Sequence, residues 1–159
     1  MNNIIIRQLT ESDYRKIRQV DILTQKQYLK EKWEKLSDKE KEEHLVSRKS
    51  EFSINLNSGY CFVAKFNNKV IGFILAYETQ PFLKKLYIRY IGIDPKYQGK
   101  GISMLLYKNL INKAKKNKIK RITALINLDN PRSIRAHEKA GFTLKDRKQA
   151  DLNLSQTTA

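Results

Sequence analysis

Cysteine is almost absent from this chain. Cys61 stands alone among 159 residues, so no intrachain disulfide can form and an oxidising compartment is neither needed nor suggested. Long apolar runs are missing too. Residues 70–77 form the longest one, well short of the roughly 20 residues that span a bilayer. The opening residues, Met1 to Arg7, are too short and too polar for a signal peptide. A soluble, cytoplasmic protein without a membrane partner is expected. No pair of Cys or His residues has metal-ligand spacing, so no metal site is expected. With 6 glycines and 3 prolines, the chain has no linker, repeat or low-complexity tract. Its length suits one domain over residues 1–159, large enough for a core without disulfides or metals.

Two nucleotide-binding patterns are also lacking. A P-loop needs Gly, four residues, then Gly-Lys-Ser/Thr, but Gly92 lies too far before Gly99-Lys100, and Gly101 replaces the hydroxyl. The dinucleotide fingerprint needs a third glycine where this chain has Met104. What is present is Tyr97-Gln98-Gly99-Lys100-Gly101-Ile102-Ser103, between an apolar run and a helix-patterned segment. Glycines let a backbone approach closely, and the first N–H groups of a helix point at an anion with the positive end of the dipole behind them. A phosphate-bearing ligand is expected there.

The remaining pattern predicts the element order βααβββαβαββ. Residues 4–9 read as a strand, and Thr10 begins a first helix. Ser37 and Glu40 form a capping box before a second helix running to about Leu56. Residues 60–66 and 69–78 form a hairpin through Asn67-Asn68. Residues 87–93 form the next strand, where Gly92 suggests a bulge or a close ligand approach. A helix over 103–116, a strand over 121–128 and a short helix opened by Asn130-Pro131 follow. Residues 142–148 and 151–156 are expected to close the sheet.

Two segments carry a resemblance. Ile91-Gly92-Ile93-Asp94-Pro95 leads into Gln98-x-x-Gly101-x-Ser103. Downstream stands Asn130-Pro131-Arg132-Ser133-Ile134-Arg135-Ala136-His137-Glu138-Lys139-Ala140-Gly141-Phe142. In order and spacing these are similar to the pyrophosphate loop (Gln/Arg-x-x-Gly-x-Gly/Ala) and the Asn-x-x-Ala/Ser-x-x-x-Tyr-Glu-Lys-x-Gly-Phe helix of the GNAT superfamily of N-acetyltransferases. The match covers roughly residues 59–148. It departs at Ser103, small but not glycine or alanine, and at His137, where tyrosine is usual. The resemblance implies an α/β fold with a mixed, mostly antiparallel sheet, the acyl-CoA N-acyltransferase fold. In it, two central strands, here 87–93 and 121–128, part around the pantetheine arm of acetyl-CoA.

The resemblance also implies a site. Gln98, Gly99, Lys100, Gly101, Ile102, Ser103 and Met104 would wrap the diphosphate mainly by backbone. Ile91, Gly92 and Ile93 would direct main-chain groups at the pantetheine and the thioester oxygen, with Asn127 and Asn130 beside the arm. His137 occupies the position of a tyrosine thought to protonate the departing thiolate. It serves as that acid, packs against the pantetheine, or leaves the acid role to solvent. The general base is not visible, with Glu78 and Asp94 nearest. Cys61 is read as a buried apolar residue.

Charge is the last large asymmetry. Residues 84–148 hold 18 Lys/Arg against 4 Asp/Glu, whereas residues 1–83 hold 14 against 11. Such a field raises the local concentration of an anionic coenzyme. The run Lys113, Lys115, Lys116, Lys118, Lys120, Arg121 reads first as a solvated face. The expected reaction is acetyl transfer from acetyl-CoA to a primary amine: a peptide N-terminus, a lysine or a small molecule. Two alternatives stand beside it, a non-catalytic coenzyme A-binding module and an RNA- or ribosome-associated protein using the basic half. A homodimer is common in such folds.

Overall fold

The computed structural model describes residues 3–79 and 84–152. Five strands form one sheet in the order β1 (Ile5–Gln8), β2 (Phe62–Phe66), β3 (Lys69–Glu78), β4 (Lys85–Ile93) and β5 (Arg121–Ala124). Neighbours are antiparallel except β4 and β5, which are parallel. Asn67 and Asn68 both take left-handed φ, 46° and 63°, which a two-residue hairpin turn demands and asparagine tolerates.

Helices cover both faces. On one face, α5 (Ile102–Lys116) and α6 (Pro131–Lys139) pack on Phe62, Ala64, Ile71, Ile74, Leu86 and Ile88. Ile102, Leu106, Tyr107 and Leu110 supply the helical stripe, and each such side chain contributes about 1.5–3 kcal/mol on burial. On the other face, α1 (Tyr14–Leu29) and α4 (Lys49–Asn57) cover Val63, Val70, Phe73 and Leu75.

The first helical region differs from expectation. Instead of one helix to Leu56, the chain forms α2 (Glu31–Lys35), α3 (Asp38–His44) and α4. Lys30 turns the chain at φ 53°, and Trp33 is buried below it. The expected capping box at Ser37 does open α3. The break at residues 45–48 has a cause in α1. Asp21 accepts hydrogen bonds from the Ser47 N–H at 2.8 Å and hydroxyl at 2.7 Å, and a continuous helix would commit that N–H to a carbonyl four residues back.

The far end of the sheet is also corrected. β5 stops at Ala124 rather than Leu128, with Leu125 and Leu128 68% and 84% exposed. Residues 142–148 form no strand. A fourth antiparallel ladder needs an edge to pair with, and β5 offers only four residues, while the segment that would pair with it carries the exposed charges Lys145, Asp146, Arg147 and Lys148. Of the last expected strand, residues 151–152 are irregular and 153–156 lie outside the described residues.

The bulge in β4 sits upstream of the glycine that suggested it. Leu75 pairs with Tyr90 and Ala76 with Ile88, so Arg89 is the extra residue. Leu86, Ile88, Ile91 and Ile93 all join the α5 side of the core, and Tyr90 joins the α1 side. Gly92 serves packing: a Cβ there would stand 2.9 Å from the Phe73 ring.

Candidate functional site

β4 outruns its parallel neighbour. Pairing with β5 runs from Lys85↔Arg121 to Ile88↔Ala124 and then ends, while β4 continues to Ile93. Residues 89–93 therefore present one main-chain edge that pairs with no strand among the described residues. The parting falls where the sequence resemblance predicts it, beside the bulge.

The loop that follows is built by local hydrogen bonds. Asp94 is buried; one of its oxygens caps a 3-10 turn by accepting from the Lys96 N–H at 3.0 Å, and the other holds the Lys69 ammonium at 3.0 Å. Both Asp94 oxygens are thus engaged in holding the loop. Gly99 and Gly101 both adopt φ 75°, and no heavy atom lies within 4 Å of where either Cβ would stand. Six consecutive N–H groups, residues 99–104, donate to no protein group among the described residues. They open α5 and carry the positive end of its dipole. Lys100 turns back over the Tyr97 ring, 5.2 Å from its centroid.

Gln98 ties this loop to three elements. Its Nε2 donates to the Ile93 carbonyl at 3.0 Å and to Gln27 of α1 at 2.8 Å, and its Oε1 accepts from Arg132 of α6 at 2.9 Å. Next to it, the Tyr28 hydroxyl donates to Asp129 and accepts from Asn127, both at 3.0 Å. Gln27, Tyr28 and Arg132 were not singled out from sequence. α1 carries no motif, and only the folded arrangement brings its last turn to the parting. Asn130 spends its side chain as a cap, accepting from Ser133 N at 3.1 Å.

His137 is buried between α5 and α6. Its Nδ1 lies 2.8 Å from the Ser133 carbonyl, which only accepts, so Nδ1 carries the hydrogen. Nε2, 3.2 Å from the Tyr107 hydroxyl, accepts from it. The ring also meets Phe142 edge-on. Burial pushes its pKa down and that of Tyr107 up, so both stay neutral near pH 7. Glu78 is far from the loop. It accepts from the Lys84 N–H at 2.6 Å and pairs across from Leu86. Five residues of strand, about 16 Å at ~3.3 Å each, separate that position from Ile91. Cys61 is buried with its thiol pushed up by burial. Among the described residues no group of three or more His, Cys, Asp or Glu is placed to hold a metal ion. No helix there is long and apolar enough to cross a membrane.

Grooves of about 360 Å³ and 330 Å³ lie between α1 and α4 and between α1 and the Lys69–Asp94 pair. Main-chain groups define the site at the parting.

Residues 20–142 match the Acetyltransferase (GNAT) family, and the chain belongs to that family, a class that uses acetyl-CoA as acetyl donor. Among curated proteins, the spore coat polysaccharide biosynthesis protein SpsD of Bacillus subtilis is 31% identical over 91 residues, covering 57% of this chain and 30% of that protein. The chain thus spans under a third of that relative's length. Among solved structures, the PaiA N-acetyltransferase of Thermoplasma acidophilum, in complex with coenzyme A, superposes with TM-score 0.74 at 20% identity. That match covers 92% of this chain and 93% of the other. The aminoglycoside acetyltransferase AAC(6')-Iy, bound to a bisubstrate analogue, gives TM-score 0.71 at 15% identity over 96% and 99% of the two chains. These likenesses establish the fold.

Proposed function

We propose that this chain is an N-acetyltransferase that moves an acetyl group from acetyl-CoA directly to a primary amine within a ternary complex. The observation that carries the reading is the continuous run of six unpartnered N–H groups at residues 99–104, set at the end of a strand that has left its neighbour. Those amides bind the diphosphate: the backbone of Gly99, Lys100, Gly101, Ile102, Ser103 and Met104 does the work, and Gln98 braces the loop. The unpaired edge of Ile91, Gly92 and Ile93 receives the pantetheine amides. An N–H of the same edge meets the oxyanion that develops on the thioester carbonyl. Asn127 and Asn130 border the arm while holding Tyr28 and α6.

The amine nitrogen attacks the carbonyl carbon, the C–S bond breaks, and the amine gives up a proton to solvent as the thiolate leaves. His137 holds α6 against α5 in this reading and does not act as the acid, because its pKa is depressed and both ring nitrogens are engaged. Glu78 closes the β3–β4 connection rather than serving as base.

The test is calorimetry with acetyl-CoA followed by thiol release with an amine panel. Binding together with amine-dependent thiol release is expected. Binding without release on any amine would leave a coenzyme-binding module. Absence of binding by folded protein would end the reading.

A further inference from the structure

The bulge in β4 does more than bend the strand. It turns the side chains of Arg89 and Tyr90, consecutive in sequence, toward the same face of the sheet, the one covered by α1 and α4. Arg89 is the first residue of β4 beyond its last pair with β5. It therefore stands at the mouth of the parting, on the face opposite α5 and α6. Tyr90 is absorbed by the core there. Its hydroxyl sits 3.0 Å from Thr24 Oγ1, and burial pushes its pKa up to about 12. Arg89 is not absorbed, its side chain remaining 37% exposed.

The charges around Arg89 do not balance. Its Nε lies 3.7 Å from Glu51 of α4, a long ion pair. The other oxygen of Glu51 is taken by Arg48 in a tighter contact. Two guanidinium groups thus share one carboxylate. Arg48 in addition keeps its Nε buried without a hydrogen-bond partner among the described residues. Tyr77 and Tyr87, half-buried with ring centroids 5.7 Å apart, line the sheet beside this cluster. A guanidinium offers a planar fork that matches carboxylate and phosphate oxygens. An ammonium-rich acceptor would meet net positive charge instead.

Building on the acetyltransferase reading, we infer that the acceptor amine carries an anionic group, a carboxylate or a phosphate, which Arg89 of the β4 bulge binds as the amine approaches the thioester. The acceptor is then an amino acid, peptide or phosphorylated amine rather than a polyamine. Arg89 acts here as a specificity residue: it holds the far end of the acceptor and takes no part in bond making.

Matched acceptors test this with acetyl-CoA at saturation. The dipeptide Ala-Ala is compared with its C-terminal amide, and glucosamine 6-phosphate with glucosamine, with spermidine as the polycation. Within each pair the amine is nearly the same and only the distant charge changes. The expected result is a kcat/KM at least about tenfold higher for the anionic member of one pair, the scale of one charge-assisted hydrogen bond, with spermidine the poorest acceptor. The pair that discriminates tells carboxylate from phosphate. Arg89→Gln is expected to collapse the ratio to within about twofold of one, and Arg89→Lys to keep part of it. Circular dichroism melts check that both variants fold, and the wild-type ratio decides the matter if they do not. Equal or better turnover of the neutral members overturns the inference. So does a ratio that survives Arg89→Gln, or failure of every pair while coenzyme still binds. Loss of coenzyme binding itself would overturn the acetyltransferase reading and this one with it.

Discussion

Replacing Gly101 by alanine separates what the loop does for the fold from what it does for the ligand. Gly101 is the N-cap of α5 at φ 75° and ψ 8°, a left-handed conformation that costs a residue with a Cβ about 1–2 kcal/mol. The new methyl would meet no atom within 4 Å, so no clash adds to that figure. For a chain of this size each kcal/mol lowers Tm by about 2–4 °C, which puts the expected loss at about 2–8 °C. Affinity is expected to suffer more. Relief of the strain rotates the peptide joining Gly101 to Ile102, turning at least one of the six N–H groups away from the anion. Hydrogen bonds to a charged group contribute about 1.5–3 kcal/mol, so acetyl-CoA should bind roughly tenfold to a hundredfold more weakly by calorimetry. S-acetylpantetheine, which lacks the diphosphate, serves as control and should bind wild type and variant alike. Unchanged acetyl-CoA affinity, or an equal loss for S-acetylpantetheine, would refute the assignment of these amides to the diphosphate.

Two further outcomes are expected. His137→Phe should leave turnover within about twofold of wild type, and it should cost about 1–3 kcal/mol in urea melts by stranding the buried Tyr107 hydroxyl. Because burial depresses the folded-state pKa of His137, the unfolded chain binds its proton first. Wild-type stability should therefore fall as pH drops below about 6.5, and the variant should lack that component; a tenfold drop in turnover would restore His137 to the chemistry. Asp21 behaves oppositely. Burial pushes its carboxyl up despite the hydrogen bonds it accepts from Ser47, so the folded state holds the proton that the unfolded chain has already released above about pH 4. Wild-type stability should decline as pH rises through the folded value, and the stability of Asp21→Asn relative to wild type should grow between pH 4 and pH 8. A pH-independent difference would count against it.

The parts of the fold that were legible in sequence are those written in local chemistry. Ser37 and Glu40 announced the start of α3, Asn67-Asn68 the hairpin, Asn130-Pro131 the start of α6, and Gly99 and Gly101 the open loop before α5. The break between α3 and α4 was hidden because its cause, Asp21, lies 26 residues away. The bulge left a trace that was readable in retrospect. Apolar residues fall at 86, 88, 91 and 93, and the step of three between Ile88 and Ile91 is the change of phase that one inserted residue produces. Gly92 drew attention instead, and a side chain there would meet the Phe73 ring. Glu78 was judged by nearness in sequence to the strand, whereas an antiparallel return places it at the opposite end of β4 from the loop. His137 could be located by its motif, but whether it was exposed depended on Tyr107, a residue of another helix.

The isolation of Cys61 has a practical sequel. Its sulfur is enclosed between Ser58 and the Ala76 backbone, with its thiol pushed up by burial. Burial keeps this sulfur a thiol and out of reach, which makes it a poor target for an activated thioester. The same enclosure makes the side chain a built-in reporter: an alkylating reagent reaches it only when β2 and β3 come out of the core, so the labelling rate in dilute denaturant reads out how often the whole sheet opens.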